Sequence, residues 1–171
     1  MTWAQVAINA LARKGIVSGR DAVTFAPNDN VTRAEFAKIL VGAFGIETGA
    51  SADLNDVDSS AWYAPYVGAC YAAGIITGYD DGSFKPNNNV TRQEMAVMVM
   101  RAANVKGMTI EKPYEKINFT DADSIAEYAA EAVDTLQQAG IINGMEDGSF
   151  APAATATRAQ AAKILYTFCQ D

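Results

Sequence analysis

The chain of 171 residues contains no histidine and only two cysteines. The first absence excludes a histidine-based catalytic triad, a histidine metal site and an imidazole switch near neutral pH. The second leaves Cys70 and Cys169 too few and too isolated for a disulfide framework or a zinc site. Positive charge is also short: 13 Lys and Arg against 20 Asp and Glu leave a net charge of −7. That argues against nucleic acid, because phosphate binding rests on a concentrated basic surface. No apolar run approaches the roughly 20 residues that span a bilayer, so membrane insertion is not expected. Met1-Thr2-Trp3 does not read as a signal peptide, and any export signal of a secreted parent is expected outside this chain. Half of the residues are hydrophobic, which excludes disorder for most of the length.

What is present is a threefold repetition. Gly15-Ile16-Val17-Ser18-Gly19, Phe25-Ala26-Pro27 and Thr32-Arg33-Ala34-Glu35 recur as Gly74-Ile75-Ile76-Thr77-Gly78, Phe84-Lys85-Pro86 and Thr91-Arg92-Gln93-Glu94. They recur again as Gly140-Ile141-Ile142-Asn143-Gly144, Phe150-Ala151-Pro152 and Thr157-Arg158-Ala159-Gln160. Gly, Phe and Arg move together by 59 residues and then by 66. Landmarks that stay in step mark a structural unit, and the units are placed at 1–49, 50–108 and 109–171.

Each unit reads as helix, loop, helix. The i, i+3 pairs Ile8/Leu11, Val67/Cys70 and Val133/Leu136 mark the first helix, which ends at Gly15, Gly74 or Gly140, where a left-handed C-cap asks for glycine. Cys70, aligned with Leu11 and Leu136, reads as a small buried apolar residue. The second helix follows the i, i+3, i+4, i+7 pattern of one buried face: Phe36, Ile39, Leu40, Ala43; Met95, Met98, Val99, Ala102; Ala161, Ile164, Leu165, Phe168. The expected fold is therefore all-α with six main helices, two per repeat.

Thr32 with Glu35, Thr91 with Glu94 and Thr157 with Gln160 have capping-box spacing, and Val31/Phe36 and Val90/Met95 have that of a hydrophobic staple. Structure thus explains these residues, but not the arginine beside them. A cation in the first turn opposes the helix dipole, yet Arg33, Arg92 and Arg158 hold that place every time. Either a carboxylate of a neighbouring repeat compensates it, or an anionic ligand does so through the guanidinium fork and the free N-terminal amides. Asp-Gly in the loops at Gly82 and Gly148 signals a positive-φ turn. An EF-hand loop with Gly82 at its sixth position would start at Thr77 and close on Asn88, the wrong ligands at both ends, so no metal or cofactor is expected.

Taken together, the segments Asn55-Asp56-Val57 and Phe119-Thr120-Asp121, an aromatic-led first helix, Gly-Ile-Ile-x-Gly, Asp-Gly-x-Phe-x-Pro and Thr-Arg-Ala-Glu resemble the S-layer homology family. The likeness covers essentially the whole chain in three copies. It implies three helical repeats packed as a pseudo-threefold trimer, a monomer with grooves between neighbouring repeats. It also implies a non-catalytic anchor on the extracellular bacterial surface that binds a secondary cell-wall polymer, commonly a glycan with ketal-linked pyruvate. The family's arginine carries over to Arg33, Arg92 and Arg158 as ligand contacts. Sugar stacking is expected on Trp3, Trp62 or Tyr66, with Asp56, Gly82, Ser83, Lys85, Gly148 and Ser149 completing the ligand-binding set. The strongest groove is expected at the middle repeat, with Lys85 as a second cation beside Arg92.

The chain departs from the family pattern in its first copy, which lacks the Asp-bearing lead-in before Trp3. It also has Val23 where the others have Gly82 and Gly148, so the same turn is not expected there. The alternative function is a structural or protein-docking module whose arginines form ion pairs between repeats. A glycosidase is not expected, because Glu35 and Glu94 are committed as caps and no other acids pair at a recognisable spacing.

Overall fold

The computed structural model describes residues 3–21 and 23–169; Met1 and Thr2, read above for a signal peptide, lie outside the described residues. Six α-helices follow in order: α1 Gln5–Arg13, α2 Arg33–Phe44, α3 Ala64–Ala72, α4 Arg92–Val105, α5 Glu127–Gln138 and α6 Arg158–Tyr166. Short 3-10 turns occupy Ala122–Ser124 and Thr167–Cys169. Among the described residues there is no strand, only three isolated bridges. The fold is all-α with two helices per repeat, as the periodicities indicate. Phe168 alone leaves its expected helix, since α6 gives way to the 3-10 turn at Thr167.

The helix ends follow from the sequence. Gly15, Gly74 and Gly140 have φ of 71°, 71° and 70°, and each sits just past its C-cap in the same bond pattern. The amide after the glycine reaches back five residues, as in Ile16 N–H to the Leu11 carbonyl at 2.9 Å, while Gly15 N–H donates to Ala12 at 3.0 Å. This paired arrangement satisfies two carbonyls that the helix cannot. At the other helices' starts, all three capping boxes are formed. Thr91→Ala is expected to cost about 1 kcal/mol, a fall in Tm of roughly 2–4 °C for a domain of this size, measured by thermal denaturation.

The main helix contacts run between repeats rather than within them. The principal helix pairs are α2 with α3, α4 with α5 and α1 with α6, so each second helix packs on the first helix of the next repeat, and α1 closes the circle onto α6. Backbone bonds close the same ring at the centre. Val31 N–H donates to Ala156 at 3.0 Å, Ala156 N–H to Val90 at 2.9 Å, and Val90 N–H to Val31 at 3.0 Å. All three residues are fully buried. They occupy equivalent places in the repeats, just before the Thr-Arg pair, so the ring fixes all three arginine-bearing helix starts at once. Val67, Leu11 and Leu136 are likewise fully buried, as is Cys70, whose thiol burial pushes up to about 12.

Candidate functional site

Each arginine opens its helix against the loop of the following repeat. Arg33 N–H and Ala34 N–H donate to the carbonyls of Asn88 and Pro86 at 2.8 and 3.0 Å. Arg92 and Gln93 do the same to Ala154 and Pro152, and Arg158 and Ala159 to Asp29 and Pro27. The helix-start amides expected to be free for an anion are therefore taken by loop carbonyls.

The guanidinium groups are bound in the same way. Arg33 Nε donates to the Phe84 carbonyl at 2.7 Å, Arg92 Nε to Phe150 at 2.8 Å and Arg158 Nε to Phe25 at 3.0 Å. Each guanidinium also lies 4.6–4.9 Å from the ring centroid of that phenylalanine, a cation–π distance. The middle residue of each Phe-x-Pro, Ala26, Lys85 or Ala151, has φ between 54° and 58°. A left-handed non-glycine at all three equivalent positions is a cost that recurs with the turn, and the turn supplies the carbonyls that hold the arginine. Carbonyl dipoles from the next repeat thus offset the unfavourable helix-dipole position of the cation.

At 7% exposure apiece, the three arginines form the floors of three clefts whose walls come from the other two repeats. The Arg33 cleft, about 380 Å³, is lined by Thr77–Asp80 and α4 of the second repeat and by Tyr128 of the third. The Arg92 cleft, about 140 Å³, has Asn143–Met145 and α6 of the third repeat, and Trp3 of the first. The Arg158 cleft, about 280 Å³, has Ser18–Arg20 and α2 of the first repeat, and Trp62 of the second. Trp3, Trp62 and Tyr128 are 49%, 55% and 58% exposed, so these rings stand at the surface and are not spent on the core. Lys163 lies 5.3 Å from the Trp3 ring centroid and Lys38 5.9 Å from that of Trp62. Tyr66 is partly buried against the core and 5.8 Å from Lys38.

The remaining expected contacts lie outside the lining of the three clefts. The carboxylate of Asp56 accepts from Phe84 N–H and Lys85 N–H at 2.7 and 2.8 Å, and Asp121 does the same for Phe150 and Ala151. These lead-in acids brace the turn that presents the carbonyl to the arginine. Gly82 and Gly148 have φ of 77° and 80° as Asp-Gly requires, and Val23 is not among the positive-φ residues. Gly82 N–H donates to Tyr79 and Gly148 N–H to Met145. Ser83 and Ser149 N–H donate to Asp81 and Asp147. Lys85 is paired with Asp81 at 3.6 Å and lies 4.3 Å from the Tyr79 ring. It therefore stands beside the Arg33 cleft and not with Arg92, because an arginine meets the loop of the next repeat and not that of its own.

Residues the motifs did not single out line the clefts: Arg20, Tyr79 and Met145 at one equivalent position, and Lys38, Val97 and Lys163 at another. The repeat offsets carried that information, since both trios differ in charge across otherwise equivalent sites. The Arg33 cleft also contains Glu94, whose Oε1 accepts from Arg33 Nη1 at 2.7 Å and from the Tyr79 hydroxyl at 2.6 Å. Burial works to raise the Glu94 pKa, but the Tyr79 hydroxyl, the Thr91 amide and the Arg33 charge outweigh it and hold the carboxyl below its ordinary 4.5. The stability this contributes is complete above that value and is lost as pH falls through the lower, folded one. Glu94→Gln is expected to flatten that part of the acid limb in melting curves recorded from neutral pH downward, leaving the cap intact as Gln160 does in the third repeat.

The profile of the S-layer homology domain matches residues 1–37, 53–96 and 118–162, one match in each repeat. The chain belongs to the S-layer homology family. It is 36% identical over 166 residues to an endoglucanase of Bacillus sp. (strain KSM-635), covering 97% of this chain and 18% of that protein. It is 38% identical over 165 residues to an amylopullulanase of Thermoanaerobacterium thermosulfurigenes, covering 96% and 9%. To an S-layer protein of Bacillus thuringiensis subsp. finitimus it is 30% identical over 164 residues, covering 95% and 20%. The S-layer homology chain thus spans a fifth or less of the length of these relatives.

Proposed function

We propose that this chain is a non-catalytic anchoring module that holds a larger surface protein on the bacterial cell wall. Its ligand is a secondary cell-wall polysaccharide, with ketal-linked pyruvate as the group recognised in the grooves between repeats. The observation that carries this reading is the threefold recurrence of one cleft: a buried guanidinium on the floor, an exposed aromatic ring on the wall, and a lining drawn from all three repeats. A guanidinium presents planar paired donors to a carboxylate, and an exposed ring offers a face to a sugar. Arg33, Arg92 and Arg158 provide the anion contact, and Trp3, Trp62 and Tyr128 the stacking face. The module acts as a monomer whose repeats are bounded at 1–49, 50–108 and 109–171.

The relatives support the anchoring part. An endoglucanase, an amylopullulanase and an S-layer protein share this stretch, and a segment common to two different hydrolases and an S-layer protein is not the source of either hydrolysis. The competing reading, arginines serving only to join repeats, has its own observation in the 2.7 Å pair of Arg33 with Glu94. The experiment that separates them is co-sedimentation with wall sacculi before and after acid extraction of the attached polymer. Binding that disappears with the polymer is expected; unchanged binding would point to peptidoglycan or protein, and no binding to either would leave the joining role alone.

A further inference from the structure

The three clefts are equivalent in backbone and unequal in charge. The Arg33 cleft is the largest, but its lining cations Arg33 and Arg101 are matched by Glu94 and Asp80. Glu94 already places a carboxylate oxygen on the Arg33 guanidinium, and the Tyr79 hydroxyl holds it there. Nearby Lys85 is spent on Asp81. In the Arg92 cleft the equivalent position is Gln160, and the lining contains Arg92 and Lys163 with no carboxylate. Asp121 stands close enough to Arg92 to offset part of its charge, but it lies outside the lining and its two oxygens accept from the amides of Phe150 and Ala151 rather than from the guanidinium. In the Arg158 cleft Glu35 is present, but Arg20 stands where the Arg33 cleft has Tyr79, and Arg20 takes the Glu35 Oε1 that lies 4.0 Å from Arg158 Nη1. Counting Asp29, which reaches Arg20 at 3.5 Å, the cations Arg20, Lys38 and Arg158 keep a surplus of one.

We infer that Glu94, held by Tyr79, is a built-in occupant of the Arg33 cleft, so that this chain offers a carboxylate-bearing ligand two competent grooves, Arg92 and Arg158, with Arg92 the stronger. This deepens the anchoring reading above and rests on it for the identity of the ligand. An incoming carboxylate at Arg33 must displace an ion pair already made in a partly water-excluded cleft, or sit beside a second carboxylate. At Arg92 it meets two lining cations and no lining carboxylate. The difference in affinity for a small carboxylate is expected to be about tenfold or more, the worth of one charge-assisted contact. The preference for Arg92 that the middle repeat's sequence suggested thus rests on Gln160 and Lys163, and not on Lys85.

The chain carries its own controls, because Gln160 and Glu94 cap equivalent helices. Glu94→Gln and Gln160→Glu each install a side chain already tolerated at that position in another repeat. The probe is 2,2-dimethoxypropanoate, the dimethyl ketal of pyruvate, titrated into the 15N-labelled full chain while the three arginine Nε–H resonances are followed. In the parent, Arg92 and Arg158 are expected to shift saturably and Arg33 to stay. In Glu94→Gln, Arg33 is expected to join them, and in Gln160→Glu, Arg92 is expected to drop out. Equal response of Arg33 in the parent, no change in either variant, or no response from any arginine overturns the inference. Failure of the anchoring reading shows separately, as this same pattern accompanied by no binding to wall polymer.

Discussion

A fragment spanning 50–108 alone is expected to show little helix in the far-ultraviolet and no cooperative thermal transition, whereas the whole chain unfolds in one step. The reason is the pairing of helices across repeats. In the isolated second repeat, α3 loses α2 and α4 loses α5. Val67, Cys70, Met95 and Val99, buried in the full chain, would face water, and burial of such side chains is worth about 1.5–3 kcal/mol each. Val90 would also lose both of its ring partners, Val31 and Ala156. A domain is stable by a margin of only about 5–15 kcal/mol, so the loss of two helix interfaces and the central ring exceeds it. A fragment with native-like helix content and a sharp transition would show that the repeats are independent bodies.

Arg92→Ala is expected to be the most damaging single change to binding, and to lower stability as well. A cation that opposes its own helix dipole implies an arginine tolerated for a ligand, whose removal weakens binding far more than it lowers Tm. The structure gives it a second role. Arg92 satisfies the buried Phe150 carbonyl at 2.8 Å and the more exposed Asn143 carbonyl at 3.2 Å, and leaving a buried acceptor unpaired costs about 1–3 kcal/mol. At roughly 2–4 °C per kcal/mol for a domain of this length, the fall in Tm is measurable. A charge-assisted contact of about 1.5–3 kcal/mol lost from the ligand corresponds to a tenfold to hundredfold weaker site. Arg92→Lys separates the two roles: it keeps the charge and surrenders the planar fork, so binding should recover further than Tm. Calorimetric titration and thermal melts of the two variants read this out; unchanged affinity in Arg92→Ala would make the arginine a purely internal strut.

The parts of this fold governed by local rules could be read from the chain. The Gly15, Gly74 and Gly140 caps, the three Thr-centred capping boxes and the buried faces of α2, α4 and α6 are set by residues within one or two turns of each other. The cross-repeat pairing was not legible, because the i, i+3 spacing of Val67 and Cys70 says that a face is buried and not which helix covers it. The site divides along the same line. The three arginines and the aromatic positions Trp3 and Trp62 follow from the repeat offset and line the clefts. Gly82, Ser83, Gly148 and Ser149, expected as loop donors in the ligand set, lie outside the cleft linings, and each arginine meets the loop of the next repeat. Lys85 was misjoined to Arg92 for this reason. Glu94 was legible as a cap but not as a partner of Arg33, since one carboxylate with two oxygens fills both roles.

The central claim, recognition of ketal-linked pyruvate in inter-repeat grooves, is tested most directly by calorimetric titration of the chain with purified wall polymer before and after mild acid removal of the pyruvate. The account predicts saturable binding to the intact polymer and a loss of about tenfold or more once the ketal carboxylate is gone. Equal affinity for the two polymers would contradict it.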